Sequence, residues 1–206
     1  MSSGESRGLL AASPVTGPVY TAAMSTAYSM RVVVLGSGSS GNATAITDGH
    51  STVLVDCGLS AREVSRRMTS AGLEPSTVAA ILVTHEHSDH TKGIDVFCRR
   101  YAPACGVLAT RGTRSAESMT AFAERTATLR AGEPLFVGGF EVLAFSTSHD
   151  AAEPVGYRIS SHGRSVGIAT DTGVLTAQAA EALAECDLLG IECNHDRSEE
   201  HTSELQ

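Results

Sequence analysis

Residues 78–90 read VAAILVTHEHSDH. The first six are apolar and rich in β-branched side chains, the pattern of a short strand buried on both faces. The chemistry then changes abruptly. His85, His87, Asp89 and His90 fall within six residues. Burying such groups unpaired is costly, so packing does not explain them. Imidazole and carboxylate suit Zn²⁺, Mn²⁺ or Fe. If side chains alternate after the strand, His85 and His87 aim at one ion and Asp89 and His90 at a second. Two ions about 3.5–4 Å apart can share a hydroxide and clamp attacking and leaving oxygens. Glu86 and Ser88 are expected to point away.

Outward from this stretch the chain alternates short strands with helices. Residues 31–35 (RVVVL) read as a buried strand, followed by a Gly/Ser loop over 36–41. Strands at 43–47 and 52–55 flank Asp48-Gly49, a hairpin signal. An amphipathic helix is expected over 61–71, with Val64 and Met68 inward and Gly72 ending it. Helices are also expected at 92–101, 114–124 and 176–185. Further strands are expected at 106–109, 128–129, 134–137, 140–146, 155–160, 165–170 and 188–192, the pair at 155–170 turning at His162-Gly163. His50 and His162 fall in turns and read as solvated. Strands arriving mostly as hairpins, with helices between groups, imply two layered sheets with helices outside. His149 and Asp171 each follow a strand, where a rigid scaffold presents functional side chains.

The 206 residues suffice for one domain with a real core. At 42% hydrophobic and 18% charged, the chain is not a long disordered protein. No apolar run approaches the roughly 20 residues of a membrane-spanning helix. A net charge of −8 argues against a simple basic nucleic-acid binder. Lys92 is the sole lysine, an arginine bias that a GC-rich genome explains. Cys57, Cys98, Cys105, Cys186 and Cys193 form no C-x-x-C and read as buried free thiols, consistent with a reducing cytosol. Residues 1–29 lack the form of a secretory signal and read as a disordered or mis-started leader, with Met24 or Met30 as the true start. Residues 197–206 (RSEEHTSELQ) match, codon for codon, the translation of a common sequencing adapter. The expectation is a domain over 30–196 whose natural sequence continues further, so His201 is not counted as a ligand.

Several stretches together resemble the metallo-β-lactamase superfamily. They are GSGSSGN at 36–42, DCGLS at 56–60, THEHSDH at 84–90 with Lys92-Gly93, His149, TDTG at 170–173 and ECNHD at 192–196. THEHSDH is highly specific for the superfamily. The Gly/Ser loop and the NHD segment narrow the resemblance to single-domain exonucleases of the YycJ (WalJ) type. It implies an α/β (α+β) fold, a four-layer αββα sandwich that is incomplete at the C-terminus. His85, His87 and His149 would bind one divalent ion, zinc or manganese. Asp89, His90 and a late histidine would bind a second, with Asp171 bridging. No Gly-His motif supplies that histidine, so the second site lacks a ligand. Asp56 would sit behind the ligands and hold their loop by hydrogen bonds.

The implied activity is 5′-to-3′ DNA exonuclease action in the cytoplasm, hydrolysing phosphodiesters with a metal-bound hydroxide that Asp89 orients or deprotonates. Ser39, Ser40, Asn42 and His195 would contact substrate. Two alternatives stand beside it: a glyoxalase-II-like thioesterase or lactonase, and an inactive remnant. Gly36-x-Gly38-x-x-Gly41 also matches a dinucleotide-binding fingerprint, with Asp56 twenty residues on. Such a unit needs a helix after the third glycine. Here an Asp-Gly hairpin follows, so no nucleotide cofactor is expected. Arg62, Arg66, Arg67, Arg99 and Arg100 read first as solvated helix faces and second as a phosphate track.

Overall fold

The computed structural model describes Gly8–Leu9, Tyr20–Ala23 and residues 30–192. The chain order is β1 (Gly8–Leu9), β2 (Tyr20–Ala23), β3 (Arg31–Gly36), β4 (Ala43–Thr47), β5 (Thr52–Val55), α1 (Ala61–Ser70), β6 (Val78–Leu82), α2 (Ser88–Thr91) and α3 (Ile94–Arg100). There follow β7 (Gly106–Ala109), α4 (Arg111–Arg114), β8 (Thr126–Thr128), β9 (Pro134–Val137), β10 (Phe140–Ser146), β11 (Val155–Ser161), β12 (Arg164–Ala169), α5 (Ala177–Leu183) and β13 (Leu188–Ile191). Among the described residues these strands form two sheets, ordered β2-β3-β4-β5-β6-β7-β8 and β1-β13-β12-β11-β10-β9.

The period of two along each strand builds the layers. Val33, Leu35, Leu54, Ile81, Val83 and Val107 pack under α1 and α3, against Val64, Met68, Ile94 and Phe97. Alternate residues of the same strands, Val32, Ile46, Val53, Val55 and Leu82, face the second sheet's Val142, Tyr157, Ile159, Val166 and Ile168. On the far side Phe145 and Ala169 meet Ala179 and Leu183 of α5. Helix, sheet, sheet, helix is the expected four-layer arrangement. It explains the unbroken apolar runs, since these strands are covered on both faces.

Two features differ from the sequence reading. Six of the eleven described pairings are hairpins, as expected, but β5, β6, β7 and β8 also run parallel to one another, as do β12, β13 and β1, which the sequence reading did not foresee. Each helical crossover returns the chain in the same direction. The expected helix at 114–124 is instead α4 followed by a 3₁₀ run, Glu117–Arg125, broken at Phe122. Met119 and Phe122 are both buried, and a three-residue repeat places them on one side. The hairpin at His162-Gly163 holds, with both residues at positive φ (49° and 73°), as a type I′ turn requires.

Orientation explains the placement of the site. β3 and β5 each pair antiparallel with β4, so they run together, and β6 is parallel to β5. β10 and β12 each pair antiparallel with β11. The Gly/Ser loop, Asp56, the histidine turn, His149 and Asp171 follow the carboxyl ends of β3, β5, β6, β10 and β12 respectively. No described helix is long and apolar enough to cross a membrane.

Candidate metal centre

The histidine turn leaves β6 at Val83 and is fixed from behind by Asp56. This carboxylate is 1% exposed and its backbone is left-handed (φ 61°), a conformation uncommon outside glycine. Its Oδ1 accepts from the Thr84 amide at 2.8 Å. Its Oδ2 accepts from Thr84 Oγ1 at 2.9 Å and lies 2.8 Å from His90 Nδ1. Thr84 Oγ1 also lies 3.0 Å from His85 Nδ1 and 3.3 Å from His90 Nδ1. One hydroxyl thus touches both buried rings, so each presents its other nitrogen forward.

Backbone ties lock the turn to its neighbours. The Asn42 amide donates to Asp89 O at 2.7 Å, the Cys57 amide to His90 O at 2.8 Å and the Gly93 amide to Cys57 O at 2.8 Å. A Cβ on Gly58 would lie 1.5 Å from Asp89 O, so only glycine allows this approach.

Two ligand groups form among the described residues. The first is His85, His87 and His149; the second is His85, His90 and Asp171. Within each group one ligand atom per residue lies within 4.8 Å of the others. His149 Nε2 is 3.3 Å from His87 Nδ1, and His90 Nε2 is 2.8 Å from Asp171 Oδ2. Asp171, like Asp56, sits at a left-handed φ (50°), where β12 ends. Asp89 belongs to neither group: its Oδ2 is 3.6 Å from His90 Nε2 and 3.4 Å from Asn42 Nδ2.

The electrostatics divide the two buried histidines. Burial, then the neighbouring His90, pushes His85 down to about 3, so its ring is neutral. Burial also opposes charge on His90, but Asp56 and Asp171 outweigh it and push that ring up to about 10. The His90 hydrogen bond in turn holds Asp171 below the usual carboxylate range. Among the described residues His85 Nε2 is buried and has no hydrogen-bond partner. A neutral imidazole with a desolvated free nitrogen, ringed by further imidazoles and a carboxylate, fits a divalent ion.

The remaining predicted residues divide. Ser39 and Ser40 are exposed, and Lys92 Nζ donates to Ser40 O at 2.9 Å. Asn42 is only 4% exposed; its Oδ1 accepts from the Gly38 amide at 2.8 Å and its Nδ2 lies 2.9 Å from His90 Nε2. Its amide is therefore engaged inside the loop. His195 and Cys193 lie outside the described residues, as does the 197–206 segment. The other four cysteines are free and buried. The Gly/Ser loop joins two antiparallel strands and opens no helix. Of the arginines proposed as a phosphate track, Arg66 and Arg67 bind Glu63, Arg67 also donates to Leu35 O, and Arg99 binds Asp95.

The sequence reading missed two contributors. Thr84 was part of the motif without a role, and only the fold reveals that its hydroxyl meets three site residues. Glu86 does point away from the ligands, but its Oε1 accepts from the Ala152 amide at 2.7 Å, three residues after His149.

Comparison with known proteins places this geometry. A family profile described as "Beta-lactamase superfamily domain" matches residues 51–206. The exodeoxyribonuclease YycJ of Bacillus anthracis is 35% identical over 166 residues, covering 79% of this chain and 62% of that protein. The exodeoxyribonuclease WalJ of Streptococcus pneumoniae is 32% identical over 168 residues, with the same two coverages. The chain thus spans about 62% of the length of these relatives. The crystal structure of the metallo-β-lactamase SMB-1 superposes with a TM-score of 0.58 at 20% identity, over 79% of this chain and 76% of that one. With its histidine turn, layered sheets and profile match, the chain belongs to the beta-lactamase superfamily.

Proposed function

We propose that the chain carries the metal centre of a hydrolase that cleaves phosphodiesters, acting on DNA as a 5′-to-3′ exonuclease in the cytoplasm. The observation that carries this reading is the 35% identity to an exodeoxyribonuclease over 166 residues, 79% of this chain. In this reading His85, His87 and His149 hold one zinc or manganese ion. His90 and Asp171 hold a second, with Asp89 closing its open side. When bound, two such ions acidify a water and neutralise charge gathering on phosphoryl oxygens.

The chain's own residues then do the rest. Asp56 and Thr84 fix the rings of His85 and His90, so neither reorients when a substrate arrives. Asp89, its side chain 31% exposed, offers a carboxylate oxygen at the mouth to orient the attacking water or take its proton. The exposed hydroxyls of Ser39 and Ser40 contact phosphate. The Lys92 ammonium beside them offers the chain's sole lysine charge. Asn42 braces this loop against the metal turn and is not a substrate contact.

The test is a panel of end-labelled DNA, thioester and lactone substrates, with and without added Zn²⁺ or Mn²⁺. Metal-dependent shortening of DNA from its 5′ end, abolished in Asp89→Ala, is the expected result. Thioester or lactone turnover without DNA cleavage would replace the reading with the glyoxalase-II-like one. Bound metal with no turnover of any substrate would favour the remnant. Sequencing the source DNA across codon 196 tests the domain division, including whether a downstream histidine follows.

A further inference from the structure

His149 has a different kind of support from the other ligands. It sits in the loop between β10 and β11, flanked by the exposed residues Ser148 and Asp150. Most of that loop's bonds reach elsewhere. Ser148 O accepts from the Gly173 amide, Glu153 O from Thr110 Oγ1 and Glu153 Oε2 from the Gly112 amide. Thr84 O accepts from the Val155 amide where the loop enters β11, and His149 meets His87; among the described residues the histidine turn otherwise reaches the loop through the side chain of Glu86. Glu86 lies between His85 and His87 in the turn. Its Oε1 meets the Ala152 amide at 2.7 Å, while Glu86 O accepts from Ser118 Oγ at 2.8 Å.

We propose that Glu86 is a positioning residue: its bond to the Ala152 amide holds the His149 loop against the histidine turn, and so sets whether His149 can share an ion with His85 and His87. The choice of residue type supports this. Glu86 Oε2 is buried and lacks a hydrogen-bond partner among the described residues. A desolvated carboxylate oxygen without a partner is unfavourable, and a neutral acceptor would serve a merely structural tie. What the carboxylate adds is a charge-assisted bond, shorter and stiffer than a neutral one. The second group, His85, His90 and Asp171, is braced instead by Asp56 and Thr84, so Glu86 should act on the first group alone.

The proposal rests on the metal-centre reading, and the test separates the two. The metal-free full chain is titrated with Zn²⁺ against a chromophoric chelator, and with Co²⁺ to read ligand geometry by absorption. If the wild type takes up no ions at this centre, the metal-centre reading itself fails. Given two ions in the wild type, Glu86→Ala is expected to weaken one site by about 10–100-fold, the usual range for loss of a partner behind a ligand. The other site and the metal-free thermal midpoint should be unchanged. Glu86→Gln keeps the acceptor but loses the charge, and should recover only part of the lost affinity. Combining Glu86→Ala with His149→Ala should add nothing to His149→Ala alone. Ala152→Pro, which removes the donor amide, should reproduce Glu86→Ala and serves if that variant does not fold. Unchanged affinity at both sites, equal weakening of both, or a glutamine variant no better than alanine would each overturn the proposal.

Discussion

The candidate metal centre has two unlike halves. One belongs to the sheet of β2–β8 and carries Asp56, Thr84 and the histidine turn. His85 and His90 are 1% and 0% exposed there, and amides of Asn42, Cys57 and Gly93 stitch three loops together. The other half belongs to the second sheet and carries His149 and Asp171 on loops that are largely open to solvent. The difference teaches where preorganisation resides. The first half is set by burial and by hydrogen bonds among the protein's own groups. The second half is brought to it by the Glu86 bond to the Ala152 amide and by the Val155 amide's bond to Thr84 O, while the Gly173 bond to Ser148 O ties its own two loops to each other. An ion that joins the halves should therefore stabilise the second far more than the first.

The sharpest way to break this contrast is Asp56→Ala. It strands the Thr84 amide, the Thr84 hydroxyl and His90 Nδ1, all buried. Breaking a buried, hydrogen-bonded charge pair by removing one partner costs about 3–5 kcal/mol. Chemical denaturation of the metal-free protein should show a loss of that size. A loss no larger than for a surface substitution would mean that the buried half is not held by Asp56.

A smaller effect follows from His90. Its pKa in the fold, about 10, lies above its unfolded value. The stability it contributes is present in full below the unfolded pKa of about 6.5. That contribution is lost as pH rises through the folded value. The thermal midpoint of the metal-free protein should therefore fall across this window, and Asp56→Asn should flatten the fall. A metal ligand must be deprotonated, so Zn²⁺ uptake in the same window should release a proton, measurable as a buffer-dependent heat of binding. A midpoint that does not move between about pH 7 and 10 would mean that His90 carries no extra proton before metal arrives.

The two halves also differ in how far the sequence announces them. The β2–β8 half is compact along the chain: a buried strand and four candidate metal ligands, His85, His87, Asp89 and His90, occur within one 13-residue stretch, and Asp56 closes a strand of its own. The layered architecture was legible for the same reason, because strands covered on both faces leave continuous apolar runs. His149 and Asp171 were visible only as lone residues at strand ends, given roles by family likeness. Thr84 and Glu86 were not legible as site residues. A threonine hydroxyl and a turn glutamate announce nothing until the fold sets Asp56 behind one and Ala152 beside the other. The 3₁₀ run at Glu117–Arg125 was misread because its apolar spacing of three fits an α-helix nearly as well.

The exposed half and the outer surface supply the smallest effects. His149→Ala removes a half-buried ring that lies against the rings of His85 and His87, so metal-free stability should move by about 1 kcal/mol. One Zn²⁺ site should nevertheless be lost. A much larger loss of stability would show that His149 is part of the scaffold. Beyond it lie the arginines. Arg66 reaches Glu63 Oε1 at 2.7 Å, and Arg67 reaches the same oxygen at 2.6 Å before donating to Leu35 O. These bonds, Arg66 first, hold the Glu63 carboxyl down to about 2. At a surface where the Arg66 and Glu63 side chains are 61% and 30% exposed, screening and side-chain entropy consume most of what such a pair could add. Arg66→Ala should therefore leave the unfolding midpoint unchanged within error. The guanidinium is also engaged by Glu63 and poorly placed to meet a phosphate. DNA affinity and its salt dependence should not change either, whereas a shallower salt slope in this variant would restore the α1 face as a track for the nucleic-acid backbone.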